Sequence, residues 1–172
     1  LVAFVTVFAA GLKSTVAQVV DENFAGGLVI QNSDGFSPIP NGAARAARQV
    51  PGVKLVATVR GAQAKVIEGG TPAGTVQVNA PTRDVGETLN IEWKQGGPGT
   101  LRRLGDGEAI VSDDFAGSHR LELGDGFALL TQTRARPRFR VVGEFDSKLG
   151  VLGSVLVTQR AMARDFDQTQ DL

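Results

Sequence analysis

The chain has 172 residues, 18 basic and 18 acidic side chains, one His, one Trp, one Met, and neither Cys nor Tyr. Its length suits one domain, and 42% apolar with 21% charged residues is a globular composition. Without Cys there is no disulfide, thiolate nucleophile or sulfur-ligated zinc; one His cannot form a three-His metal centre, and zero net charge excludes nucleic acid as an expected partner.

Residues 1–12, LVAFVTVFAAGL, carry no charge. As a helix they span about 18 Å, short of the ~30 Å hydrocarbon core of a bilayer. Three readings fit the segment. One is the apolar part of a signal peptide, although a basic leader and a small-x-small cleavage site are missing. Another is a core helix. The third is the outer end of a membrane-spanning helix that begins before Leu1, and a start at Leu1 rather than Met favours it. Phe4, Phe8, Leu12, Val16 and Val19 or Val20 continue one stripe, opposite Lys13, Ser14, Gln18, Asp21 and Glu22. The helix thus turns amphipathic near residue 13, as one leaving lipid for a folded domain would, and stops near Asp21–Asn23 before Gly26-Gly27.

GLVIQ (27–31) reads as a buried strand, and Pro40-Asn41 opens a short Ala/Arg-rich helix over 42–50 that Pro51-Gly52 ends. Residues 53–69 read as one long strand, or two with a kink at Gly61, while 74–80 alternate apolar and polar in the pattern of a half-buried strand. A further strand is predicted over 88–93. Residues 94–107 are a Gly-rich loop without the order of a phosphate-binding loop. Then come a strand over 108–111, Ser112 as N-cap, and a helix over 113–119 whose Asp113 and Asp114 suit the positive helix end. A tight turn at Gly124-Asp125-Gly126 leads to strands over 127–133, 138–145 and 154–158, and Thr158 caps a last helix over 159–166. Two echoes stand out: Leu-Gly-Asp-Gly at 104–107 and 123–126, and AIVSDDFA (109–116) beside VLVTQRAM (155–162). Two copies suggest local similarity of design rather than a repeat array.

No catalytic, cofactor-binding or metal-binding residues are assigned. His119 would be needed by any Ser-His-Asp triad, yet Ser112 and Ser118 lie so close to it in sequence that their side chains diverge from one helix. It reads as a His placed favourably near a helix C-terminus. Asp106, Glu108, Asp113, Asp114, Glu122 and Asp125 could suggest calcium, as could Asp165, Asp167 and Asp171, but the spacing of a calcium loop is absent from both groups. Arg134, Arg136, Arg138 and Arg140 alternate and so share one face of an extended segment: a solvated face with Pro137 at a sheet edge, or a surface for an anionic partner.

The apolar start followed by GLVIQ and NGAARAARQVPGVKLVATV resembles the beginning of the extracytoplasmic core domain of MacB/FtsX-type ABC transporter permeases. EAIVSDDFAGSHRLELGDGFALL, FRVVGEF (139–145) and SVLVTQRAMARDF extend the resemblance in order to about residue 166. The family's domain ends in a further strand before its second transmembrane helix, which this chain does not display. The resemblance implies an α+β fold with a split layer of strands and helices, preceded by an N-terminal helix. Residues 1–24 would be the outer end of the first transmembrane helix and a stalk; 25–172 would be the core domain, with a β-rich insertion over 81–145. It further implies a non-enzymatic domain on the outer side of the cell membrane, without cofactor, that couples cytoplasmic ATP hydrolysis to export or extraction of a substrate. Its partners would be a cytoplasmic ATPase component reached through the transmembrane part, a second permease copy in a dimer, and an extracytoplasmic adaptor or substrate protein. The alternatives are a free-standing extracellular binding module and a small serine hydrolase.

Overall fold

The computed structural model describes Ile30 and residues 38–40, 42–148 and 150–171. The expected N-terminal helix, the transmembrane stump over 1–24 and all of GLVIQ except Ile30 lie outside the described residues. Among the described residues no helix is long and apolar enough to cross a membrane.

The fold is mixed α+β. Its strands are β1 (Val59–Glu68), β2 (Thr71–Pro81), β3 (Trp93–Gln95), β4 (Glu108–Ser112), β5 (Gly126–Thr131), β6 (Arg138–Phe145) and β7 (Val155–Leu156). Its helices are α1 (Ala43–Arg48), α2 (Pro98–Arg103), α3 (Asp113–His119) and α4 (Gln159–Phe166). The sheet order is β3-β6-β4-β7-β2-β1-β5, and β5 also pairs with β6. Six strands therefore close into a ring, with β3 attached beside β6. The β2–β7 and β4–β6 pairs are parallel and the others antiparallel.

The burial pattern follows from the ring. In β1, β2, β5 and β6 every second residue points inward; Ala64, Val66, Val76, Val78, Phe127, Leu129, Phe139 and Val141 fill the interior with Ala109, Val111, Val155 and Val157. β4 and β7 are apolar at consecutive positions because both of their faces are covered. Their outward residues Ile110 and Leu156 belong to a second core with Val85, Leu89, Leu101, Leu104, Phe145 and Leu152. The segment that links β2 to β4 supplies much of that core, lying over the outer side of the ring. Gly143 permits its close approach: a Cβ there would stand 3.2 Å from Thr100 Cγ2 and 3.4 Å from the Gln95 carbonyl.

The second sequence echo proves to be part of a larger duplication. β1-β2-β4-α3 and β5-β6-β7-α4 have the same order and the same pairings: an antiparallel hairpin, then a strand parallel to the hairpin strand of the other unit. Val66 pairs with Leu129 and Ile110 with Leu156, and within each pair the residues are one another's counterparts. A pseudo-two-fold axis passes through both pairs. The caps repeat as well: Ser112 has φ −73 and ψ 153, Thr158 φ −72 and ψ 151, and each helix ends on a left-handed residue, Arg120 and Asp167. Because β4 and β7 are antiparallel, α3 and α4 plug opposite ends of the ring with Phe115, Met162 and Phe166. The Leu-Gly-Asp-Gly echo is not part of this symmetry, since 104–107 precede β4 and 123–126 lead into β5.

Several expectations need correction. β1 begins at Val59 and passes Gly61 in register with Asn79; its irregularity falls between Lys65 and Ile67. Of the strand expected over 88–93 only Trp93 is in β3, because Val85–Glu87 form a 3-10 turn and Leu89 turns into the second core. The loop over 94–107 contains α2, started by Pro98 at its first position with the Gly97 N–H donating to Thr100 Oγ1 at 3.2 Å. β6 is not an edge: β4 flanks one side, β5 and β3 the other, and the Pro137 carbonyl accepts from the Leu129 N–H at 3.1 Å.

Candidate functional site

α3 brings His119 to the tip of the β1–β2 hairpin. Its ring lies tilted against that of Phe115, one turn earlier, with centroids 4.5 Å apart, and Nδ1 lies 2.6 Å from Glu68 Oε1. His119 borders a recess of about 210 Å³ with Ser118, Asp114, Thr75 and Ser154. No hydrogen bond joins Ser118 to His119 among the described residues. Ser112 is buried beneath the helix, and its Oγ accepts from the Phe115 N–H at 3.2 Å. A nucleophile needs its base within hydrogen-bond reach; here the acid is paired with His119 while each Ser stands apart from it. The pair ties a hairpin to a helix end.

A denser polar cluster lies at the N-terminus of α3. Asp146, 4% exposed, accepts from the Lys148 N–H at 3.0 Å and ion-pairs with Lys94 at 2.9 Å and Lys148 at 3.3 Å. The Lys148 backbone N–H, helped by the Lys94 ammonium, pulls its carboxyl down to about 2. Lys94 is raised, chiefly by its hydrogen bond to Asp146. Asp113 accepts from the Ser147 N–H at 2.9 Å and is lowered mainly by that bond. Asp146 thus fastens β3 to the chain after β6, and Asp113 ties the start of α3 to the same two segments. Alternation and motif spacing in the sequence gave no sign of Asp146, because its burial arises from three separate segments meeting.

A groove of about 780 Å³ runs along the other plug helix, between 81–84, Leu101, Leu104 and the first turn of α4. Asp106 crosses it, accepting from Thr158 Oγ1 at 2.6 Å and pairing with Arg160 at 3.4 Å. The remaining acids are dispersed. Glu108 binds Arg140 at 2.8 Å and is lowered first by the Gly105 N–H and then by that Arg. Asp125 accepts from the Glu122 N–H, Asp165 pairs with Arg164, Asp171 pairs with Arg60, and Asp114 and Asp167 join no cluster. Among the described residues no three His, Asp or Glu side chains converge as a metal would require.

The four arginines are all exposed, but only Arg138 and Arg140 lie within β6. Arg134 has φ 65 in the turn of the β5–β6 hairpin, and Arg136 continues the alternation of β6 ahead of Pro137.

At the base of the fold the chain's entering and leaving segments meet. The Ile39 N–H donates to the Asp171 carbonyl at 2.8 Å, and Arg60 Nε donates to Asp171 Oδ1 at 3.2 Å.

Comparison with protein families matches residues 1–171 to the MacB-like periplasmic core domain. A solved domain assigned to a permease protein of Porphyromonas gingivalis superposes with a TM-score of 0.54 at 18% identity, covering 72% of this chain and 54% of that one. The periplasmic region of MacB from Actinobacillus actinomycetemcomitans gives 0.57 at 11% identity, covering 87% and 69%. The chain therefore spans about half of the first of these structures. Comparison with curated proteins finds no match.

Proposed function

The chain belongs to the MacB-like periplasmic core domain family and is a periplasmic domain of a MacB-like ABC permease, and we propose that it couples ATP hydrolysis by a cytoplasmic component to export or extraction of a substrate outside the membrane. The observation that supports this reading best is the meeting of the entering and leaving segments at Ile39 and Asp171. A domain set between two transmembrane helices must receive and return its chain side by side. Protein termini are often close, but here a backbone hydrogen bond and the Arg60 ion pair hold the two segments together, so a displacement of one is felt by the other. Residues 1–24 would bring that motion from the membrane, with 25–172 as the responding domain. The working assembly is a permease dimer with its ATPase, together with an extracytoplasmic adaptor or substrate protein.

In this reading the domain binds and transmits without performing a reaction. The separation of Ser112 and Ser118 from His119 supports it. The test is a permease in which residues 42–170 are replaced by a short Gly-Ser link joining the adjacent ends. ATP hydrolysis is expected to continue while delivery of substrate to the outer side stops. Undiminished delivery without the domain contradicts the coupling role.

A further inference from the structure

The ring has two contrasting outer sides. Over β4 and β7 it is covered by the second core; on the opposite side β1, β5 and the first half of β6 face solvent. The pairing register places Lys65 beside Leu130, and Ile67, Ala128 and Arg138 in one row, with Arg140 opposite Gly126. Ile67, Ala128 and Leu130 are half-buried, flanked by exposed Lys65 and by Arg136, Arg138 and Arg140. Arg134 stands exposed at the tip of the adjoining β5–β6 hairpin. Only Arg140 is neutralised, by Glu108; among the described residues the side chains of Lys65, Arg134, Arg136 and Arg138 have no hydrogen-bond or ion-pair partner.

The duplication supplies an internal control. The counterparts of Arg136, Arg138 and Arg140 on β2 are Ala73, Thr75 and Gln77, which face outward from the same architecture and are neutral. Solubility and pairing of such a strand are thus met without charge, so the arginine row exceeds what the fold requires. Its composition narrows the ligand further. All four positions are Arg, whose planar fork takes a carboxylate or a phosphate through two parallel bonds, so the ligand is an anion with paired oxygens. From Arg136 to Arg140 the row is linear, about 13 Å long for five extended residues, and it runs beside half-buried apolar side chains in the mixture seen at protein interfaces.

We propose that this outer face of β1, β5 and β6 is a docking surface for an extended acidic segment of another extracytoplasmic protein. The carboxylates of that segment take Arg134, Arg136 and Arg138, and its small side chains lie over Ile67, Ala128 and Leu130. The surface goes beyond the transport reading and stands independently of it.

The test uses the 172-residue chain and a fluorescein-labelled peptide of alternating Glu and Thr, with a Gln–Thr peptide and phosphatidylglycerol vesicles as comparison probes. Anisotropy is expected to show binding of the Glu peptide and none of the Gln peptide. Arg136→Glu with Arg138→Glu weakens it at least tenfold, and Arg136→Lys with Arg138→Lys by several-fold, because the fork is lost while the charge remains. Arg83→Glu with Arg102→Glu, away from this face, leaves it unchanged. All these positions are exposed, and an unaltered thermal midpoint confirms that the variants fold. Equal weakening by the Arg83/Arg102 pair would reduce the binding to diffuse charge attraction and overturn the proposal. So would vesicle binding that survives the Lys substitutions, which would assign the face to a lipid surface, or no binding of the Glu peptide.

Discussion

The duplicated helix caps offer a comparison within one molecule. Ser112 Oγ accepts from the Phe115 N–H at 3.2 Å, and Thr158 Oγ1 accepts from the Ala161 N–H at 3.0 Å. Replacing either by Ala removes one cap, at about 1 kcal/mol. Thr158 also donates to Asp106 Oδ1 at 2.6 Å. A hydrogen bond to a charged group contributes about 1.5–3 kcal/mol, and the partial exposure of Asp106 puts this one at the lower end. Thr158→Ala should therefore cost about 2.5 kcal/mol against about 1 kcal/mol for Ser112→Ala. For a domain of this size the midpoints fall by about 5–10 °C and about 2–4 °C respectively. Thr158→Ser keeps the oxygen and recovers most of the loss. Urea titration followed by Trp93 fluorescence measures both, since the single Trp packs against the second core. If Thr158→Ala costs no more than Ser112→Ala, the Asp106 anchor has no energetic weight and the argument fails.

Glycine substitutions should diverge in sign. Gly117 lies within α3 with nothing within 4 Å of an added Cβ, so Gly117→Ala should stabilise by about 0.5–1 kcal/mol. Gly153 has φ 68 and a Cβ there would be 3.0 Å from Gln77 Cγ and 3.1 Å from its carbonyl; Gly153→Ala should destabilise by about 1–3 kcal/mol. Thermal midpoints of the two variants decide, and movement in the same direction would discount the local backbone argument. Asp146 gives a pH test: its carboxyl lies at about 2 when folded against 3.8 for the free group. A depressed folded value means a stabilising contribution present above about pH 4 and lost as the pH falls towards 2. Asp146→Asn should lower stability at neutral pH and flatten the fall between those limits. An acid limb as steep as that of the unsubstituted protein would remove Asp146 from its cause.

Local chemistry made much of the fold legible. Val/Ile-rich alternation located β2 and β6, and Ser112 and Thr158 announced α3 and α4 within a residue, because cap, charge and apolar pattern agreed there. The α+β class came from the family resemblance. Closure of the ring was not legible, since it depends on β5, the hairpin partner of β6, also pairing with β1, a contact distant in sequence. The duplication showed only in the strand–cap–helix stretch, because its hairpins share inward apolar positions but little identity: Val76 answers to Phe139. α2 was hidden among glycines although Pro98 marked its start. As for the site, Arg136, Arg138 and Arg140 were visible as a row, but their lack of partners and the neutral counterparts on β2 required the third dimension. His119 was visible and Glu68, its partner from a different hairpin, was not.

The coupling role is tested most directly by distance measurement in the membrane-embedded permease. These 172 residues contain no Cys, so with any Cys elsewhere in the permease replaced, a spin label on Leu123→Cys, an exposed position, in each copy of the proposed dimer reports one separation. With ATP trapped on the cytoplasmic component, the account predicts a distance distribution displaced from that of the nucleotide-free state, and the displacement disappears when residues 1–24 are joined to the fold by a flexible Gly-Ser spacer. Identical distributions with and without nucleotide would contradict it.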